Sequence, residues 1–405
     1  MTEFFYRCCE CGEKYERDSV RYLCPECGKH CQPGQPLHGV LEAVFDYEAI
    51  QKRFDIKYPD WSLLCAVESE FHPNFPVGNT PFFKADKLGA ELGLSHLFIK
   101  NDGLNPSGSL KDRASELVVA EAIRLGEKRI VTASTGNAAA ALAAVCAATD
   151  REAIIFVPAA APKAKLIQML VHGARVVRVK GSYDDAFKLS IEFTERHGGL
   201  NRNTAYHPLT IEGKKTAALE IFEQNGCKAP AAVVVPVGDG VIIAGVFKGF
   251  YDLLQLGLIE KLPRLIAVQA ESSDAIHHLV RTGQYRNAKK PQTIADSISV
   301  SAPSNAYLAQ RAISESKGTS VIVADADILE AQQQLAMMTG VFAEPAAAAT
   351  VAGLKKLRSE FMKNEEVVLL ITGHGLKHAD SVRDLLHVPD PVEPSLAAVE
   401  KELLQ

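Results

Sequence analysis

The 405-residue chain carries a net charge of −5, with 47% hydrophobic and 23% charged residues, proportions ordinary for a soluble globular protein. A small acidic excess excludes a polyanion or an anionic membrane surface as an obvious partner, and the length predicts two or three domains. The longest apolar stretch, 138–148, falls short of the ~20 residues of a bilayer span. The first residues lack an apolar core of signal-peptide length, so a cytoplasmic protein with neither membrane nor nucleic acid as partner is expected.

The first 35 residues form a polar head that ends at the break Pro33-Gly-Gln-Pro36. Six of the nine cysteines (Cys8, Cys9, Cys11, Cys24, Cys27 and Cys31) lie in this head. That clustering points to a metal site in a reducing compartment, because an extracellular disulfide framework would spread its cysteines along the chain. Cys8-x2-Cys11 and Cys24-x2-Cys27 are each followed by glycine, and two such turns present the four thiolates that tetrahedral zinc takes. Cys8, Cys11, Cys24 and Cys27 are therefore the expected ligands of a structural zinc with no open catalytic position. Cys9, His30 and Cys31 are substitutes, and a metal-free ribbon or redox chemistry are the alternatives.

The next informative stretch is Asn105-Pro-Ser-Gly-Ser-Leu-Lys-Asp-Arg113. Asn-Pro-Ser-Gly is turn chemistry. A helical pattern follows, with Ala114, Leu117, Val118, Ala122 and Leu125 on one face and Gly126 as its stop. Lys111 thus falls in the first turn of a helix, where the dipole disfavours a cation. The same field favours the neutral amine that Schiff-base chemistry requires. Taken alone, such a lysine is more often a solvated surface residue.

From 129 onward short apolar runs alternate with helical stretches. Strands are predicted at 129–132, 153–157, 174–179, 231–235, 265–268 and 367–371, and helices at 138–148, 163–171, 184–196 and 211–224. This alternation predicts an α/β fold with mostly parallel sheets, covered on both faces by crossover helices. Ala133-Ser-Thr-Gly-Asn137 and Val235-Pro-Val-Gly-Asp-Gly240 each run from a strand into a helix, and exposed amides at a helix start bind anions. An N-cap alone would explain Thr135 but not the whole string. A proline-bearing tail follows from 388, with a helical pattern at 396–404; it reads as a packing arm or subunit contact.

Pro76-Val-Gly-Asn-Thr-Pro81, the Lys111 string and Leu370-Ile-Thr-Gly-His-Gly-Leu-Lys377 resemble the motifs of the threonine synthase family, fold type II pyridoxal-phosphate (PLP) enzymes of the tryptophan-synthase-β-like kind. Leu41–Tyr47, Phe247-Lys-Gly-Phe250 and Glu344-Pro-Ala fit the same pattern, so the resemblance spans nearly the whole chain. It implies two three-layer α/β domains beside the ribbon: 36–126 with 226–387 as the large PLP domain, and 127–225 as a smaller domain that closes on substrate. It implies that Lys111 bears the cofactor and shuttles protons, and that Asn137 lies near the cofactor's 3-oxygen. Gly238, Asp239, Gly240, Val241 and Ile242 would cradle its phosphate, and Thr372 would bond its pyridine nitrogen. Ser109, Ser134, Thr135 and Gly136 would contact an amino-acid substrate, and a homodimer is expected.

Four positions depart from the family. Val241 and Ile242 stand where relatives often carry glycine and asparagine. In His207-Pro-Leu-Thr-Ile-Glu-Gly-Lys-Lys-Thr216, Thr210 replaces an arginine that grips the substrate phosphate, and His207 replaces an asparagine. Losing a guanidinium there is not conservative, and Lys215, or Lys214 beside it, is the expected compensation. The first reading is therefore conversion of O-phosphohomoserine and water to threonine and phosphate. A sister PLP enzyme (cysteate synthase, or a diaminopropionate or threonine ammonia-lyase) is second. A vestigial threonine-synthase-like binding protein is third.

Overall fold

The computed structural model describes residues 4–386 and 389–404, so position 387 at the end of the expected large domain and positions 388 and 405 of the tail lie outside it. The head is a three-stranded antiparallel sheet. β1 (Phe4–Cys8) lies between β2 (Lys14–Glu16) and β3 (Leu41–Phe45). Its third strand thus lies beyond the break at 33–36 where the sequence ended the head. Phe4, Tyr6, Leu41, Ala43 and Phe45 alternate inward, and they seat the ribbon on the main core.

β4 (Phe82–Lys84) and β5 (His96–Asn101) begin the large sheet. The chain then leaves it for a second sheet of β6 (Arg129–Ala133), β7 (Glu152–Pro158), β8 (Arg175–Val179) and β9 (Leu200–Asn201), ordered β8-β7-β6-β9 and parallel throughout. It returns through β10 (Ala232–Pro236), β11 (Arg264–Ala270), β12 (Thr319–Val323) and β13 (Glu366–Ile371). The large sheet runs β12-β11-β10-β13-β5-β4, and only β4 is antiparallel to its neighbour.

The β-branched run of β10 explains its central place. Val233 and Val235 enter the core on one face, with Ile243, Phe250 and Leu253. Ala232 and Val234 enter the other, with Ala346, Val351 and Leu354. Each fully buried valine contributes roughly 1.5–3 kcal/mol by leaving water. The second sheet repeats this. Ile155 and Val157 face the alanine-rich helix Asn137–Ala147, and Ile154 and Phe156 face Ala186 of the helix Tyr183–His197.

The helix Leu209–Gln224 follows the second sheet but packs against the helices Lys111–Arg124 and Val241–Gln255. Gly213 and Gly245 let the backbones approach. A Cβ at Gly213 would lie 2.3 Å from the Arg113 carbonyl oxygen, and one at Gly245 would lie 2.6 Å from Lys214 Cβ.

Candidate active site

β5, β13 and β10 are adjacent parallel strands, so the loops after them open on one edge of the sheet, where ligands bind in open α/β folds. The loop after β5 carries Asn105–Lys111, and the loop after β13 carries Thr372–Lys377. They are laced together: the Leu110 N–H donates to the Thr372 carbonyl at 2.9 Å, and the His374 N–H donates to Gly108 at 2.9 Å. Gly108, at φ +78°, makes the turn between them. The loop after β10 turns at Gly240, at φ +88°, and opens the helix Val241–Gln255. The loop after β6 brings Ser134–Asn137 from the second sheet.

The loop after β13 contributes no lining residue, and the loops after β6 and β10 line one cavity of about 1670 Å³, together with Lys111, Arg202 and Lys214. Its size exceeds the ~300–1,000 Å³ usual for a single small ligand and accommodates a cofactor with a substrate. Ser134, Thr135, Gly136, Asn137, Gly238, Asp239, Gly240, Val241 and Ile242 all line it, so these expected site residues meet around Lys111. The outer wall is the ribbon: Tyr22 to Pro25 and Cys31 to Gln35 face the same space. Leu37 N–H bonds the Ser304 carbonyl at 2.9 Å, and the Asn287 amide bonds Gly34 O at 2.8 Å, so that wall is tied down.

Lys111 is the first residue of its helix and is half-buried against the cavity. Burial pushes its ammonium below its usual pKa. Arg202 adds to the shift, and Glu344, Asp296 and Asp239 oppose it. Asn137 donates through Nδ2 to both carboxylate oxygens of the buried Glu344, at 3.1 and 2.9 Å. Glu344 in turn donates its N–H to Gly373 O at 3.0 Å. A Cβ on Gly373 would come within 2.3 Å of that carboxylate, which is why glycine follows Thr372.

Asp239 does not offer its side chain to the cavity's ligands. Its carboxylate accepts the Ser304 N–H at 2.6 Å and the Ser304 hydroxyl at 2.8 Å. Burial raises its pKa to about 6 against those bonds. Its contribution is the backbone turn. Ser109 and Thr372 are buried beside the cavity and are not among its lining residues. Ser109 Oγ is buried without a partner.

Lys215 is not at the site. Its Nζ bonds Asp252 Oδ2 at 2.9 Å and Glu212 Oε2 at 2.5 Å, beneath the Phe45 ring at 4.0 Å. One helical step of ~100° turns Lys214 into the cavity instead. Thr210 and His207 do not line it either. The Thr210 hydroxyl is bonded to the Thr204 carbonyl. His207 accepts the Leu209 N–H through Nδ1 at 3.2 Å, and burial drives its pKa down to about 3. Arg202 and Glu344 are the residues that the motifs did not mark as site groups.

The Sγ atoms of Cys8, Cys11, Cys24 and Cys27 lie within 4.8 Å of one another. The 3.8 Å between Cys11 and Cys24 equals the edge of a tetrahedron with ~2.3 Å Zn–S bonds. Cys9 is outside this cluster, and Cys31 Sγ is engaged by the His38 backbone N–H at 3.2 Å.

The donor set suits PLP. An amine with a depressed pKa stands beside a helix start whose first N–H groups have no intrahelical acceptor. Ser109 Oγ is unpaired at the edge, and nothing stands within 4 Å of where a Gly136 Cβ would project.

The sequence profile of the pyridoxal-phosphate dependent enzymes matches residues 74–373. The chain is 34% identical to a threonine synthase of Methanosarcina acetivorans, covering 99% of this chain and 98% of that protein. It is also 34% identical to a threonine synthase of Methanocaldococcus jannaschii, covering 98% of each. Among solved structures, a processed threonine deaminase isoform 2 from Solanum lycopersicum superposes with a TM-score of 0.66 at 22% identity, over 83% of this chain and 92% of that one. This last is a likeness of fold.

Proposed function

The chain belongs to the pyridoxal-phosphate dependent enzymes, within the threonine synthase family, and on that premise we propose that it converts O-phosphohomoserine and water to threonine and phosphate. The observation that carries the proposal is the convergence of loops from both sheets, after β6 and after β10, on a cavity that Lys111 also lines.

Lys111 would carry the cofactor, the amides from Gly238 to Ile242 its phosphate, and Thr372 would lie by its ring nitrogen. When bound, PLP supplies an electron sink for charge developing on the substrate's α carbon. A hydroxyl at 372 cannot protonate the ring as an acid would, which favours elimination and replacement over transamination. The chain's own work is positioning and proton transfer. Burial lowers the Lys111 ammonium's pKa and so favours the neutral amine, which would take a proton from the α and then the β carbon as phosphate leaves the γ carbon, and would return protons to the γ and α carbons as water adds at the β carbon. The amides and hydroxyls of Ser134–Gly136 bind the substrate carboxylate, and Glu344 fixes the Asn137 amide. The ribbon wall keeps bulk water from the reacting carbons.

The four thiolates of the head support a structural zinc, closed to catalysis. Free thiols at Cys8, Cys11, Cys24 and Cys27 favour a reducing, cytoplasmic setting. No helix among the described residues is long and apolar enough to cross a membrane. A homodimer is supported by the family and by the exposed Leu396, Val399 and Leu403 of the helix Leu396–Leu403.

The test is phosphate release with amino-acid analysis from PLP-loaded protein given O-phosphohomoserine. Threonine and phosphate should form in equal amounts and both vanish in Lys111→Ala. A PLP-loaded protein inert to this substrate would refute the assignment, and phosphoserine with sulfite would be tried next.

A further inference from the structure

Arg202 and Lys214 are two buried cations with no carboxylate in ion-pair contact among the described residues. Arg202 directly follows β9, is 2% exposed and lines the cavity. Its Nε donates to Ser115 Oγ at 3.1 Å, and its Nη2 is buried without any partner. Ser115 lies one turn along from Lys111, so that single bond fixes the guanidinium relative to the catalytic amine. Lys214 is 4% exposed and lines the same cavity, and its Nζ bonds only the Thr210 carbonyl, at 2.9 Å.

The two groups and Lys111 feel one another. Burial, then Arg202 and Lys111, push the Lys214 ammonium well below its usual pKa, and burial lowers Arg202 to about 10. The nearest acids are committed elsewhere. Asp239 is held by Ser304, Asp296 by Lys165 at 2.6 Å, and Asp112 by Ser107. Buried charges are ordinarily paired, so a guanidinium with a free fork and an ammonium beside it, both on the cavity wall, are built to receive an anion. The planar guanidinium suits a tetrahedral oxyanion.

We propose that Arg202 and Lys214 form the subsite for the phosphate ester of the substrate, replacing from eight residues upstream, and from within the helix, the arginine that is absent at Thr210. The inference rests on the reading of the cavity as the site of a PLP reaction on an amino acid, and it narrows the substrate class to phosphomonoester amino acids. Amino acids with a neutral or cationic leaving group would leave both cations unpaired. The cofactor's phosphate shares the same chemistry, but it has its own anchor in the amides at the start of the helix Val241–Gln255.

The test uses the PLP-loaded protein and two independent readouts. Titration calorimetry measures binding of inorganic phosphate, and steady-state assay measures KM for O-phosphohomoserine. Losing one charge-assisted contact costs about 10–100-fold in affinity, so Arg202→Met and Lys214→Met should each weaken phosphate binding and raise KM by about that factor. PLP affinity, read from the cofactor absorbance, should stay within about twofold, and kcat should fall less than KM rises. Arg202→Lys, which keeps the charge, should recover part of the loss; it also provides the reading if Arg202→Met does not fold. Unchanged phosphate binding in both Met variants would overturn the proposal. So would loss of PLP with phosphate binding intact, which would assign the pair to the cofactor. A wild type that binds phosphate through these residues but does not turn over O-phosphohomoserine would sink the threonine synthase reading and leave the subsite standing.

Discussion

Replacing Arg113 by methionine should destabilise the protein severely, although Arg113 does not line the cavity. Its Nε and Nη2 bond Asp102 at 2.6 and 2.9 Å, and its Nη1 and Nη2 bond Glu220 at 2.6 and 2.8 Å. Lys100 Nζ also reaches Glu220, at 2.5 Å, and Thr80 Oγ1 donates to Asp102 at 2.6 Å. Methionine fills similar volume but leaves Asp102 fully buried with one hydroxyl donor. Lys100 still neutralises Glu220, so one uncompensated charge remains, and breaking such a buried pair costs about 3–5 kcal/mol. For the 405-residue chain, at ~2.1 cal/mol/K of unfolding entropy per residue, that is a fall in thermal midpoint of roughly 4–6 °C. The assay is a thermal scan of cofactor-free protein by circular dichroism, with cofactor loading measured separately. Because Thr80 and Asn105 belong to the same lattice, through Asp102 and the 2.9 Å bond from Gly78 N–H to Asn105 Oδ1, cofactor loading should weaken too. A shift under about 1 °C would refute the reasoning, since it would mean that the cluster tolerates an unpaired carboxylate.

Three further expectations follow from the same geometry. Glu220 is held down to about 2 from its ordinary 4.5, mainly by Arg113 and Lys100 against burial. A depressed carboxylate pKa stabilises the fold fully above the unfolded value and is lost as pH falls through the folded one. Stability should therefore be level above about pH 5 and fall by up to ~3 kcal/mol between 4.5 and 2, a decline that Glu220→Gln should blunt in acid titrations followed by fluorescence. Gly238→Ala would set a Cβ 2.8 Å from Ile298 Cα, so the cradle must shift, and overpacking of this kind costs about 1–3 kcal/mol; weaker cofactor binding in an absorbance titration checks it. Chelation, or Cys11→Ser, should remove zinc measured by elemental analysis and expose the head to limited proteolysis, while the cofactor absorbance persists; an unchanged digestion pattern would argue against a metal-held ribbon.

The parts of the site that were legible in the sequence are those fixed by local chain geometry. The Lys111 string, Ser134–Asn137 and Gly238–Ile242 each join a strand end to a helix start, and a sheet with parallel neighbours brings such junctions to one edge. What was not legible depended on packing between distant segments. Lys214 and Lys215 differ by one helical step, and only Asp252 and Phe45, from elsewhere in the chain, decide which enters the core. The helix Leu209–Gln224 follows the second sheet in sequence yet is buried nearly all round by the helices flanking the large one. β5 hides because its apolar run ends in Lys100 and Asn101, and a fully buried lysine makes sense only once Glu220 is in place. Arg202 lies between Asn201 and Asn203, a polar string without periodicity.

The neighbours Lys111, Asp112 and Arg113 divide between two tasks, and the division separates a working enzyme from a vestigial one. Arg113 lies roughly 200° around the helix from Lys111 and faces the ion cluster, whose partners Thr80, Asp102 and Glu220 stabilise the fold whether or not catalysis survives. Lys111, Arg202 and Lys214 do the opposite. They are basic groups crowded on a cavity wall, where burial and mutual repulsion disfavour their charged forms, and that strain falls on the ligand-free protein. A chain retained only for its shape would gain by losing them, because a site kept for function trades stability for activity. Lys214→Met should therefore raise the thermal midpoint of cofactor-free, phosphate-free protein, by the equivalent of about 1–3 kcal/mol if the ammonium is buried unpaired. The gain should shrink as phosphate is added, since the anion stabilises the wild type by mass action and not the variant. A Lys214→Met protein less stable than wild type in the absence of phosphate would show that the lysine is satisfied where it lies, and would remove the electrostatic case for the subsite.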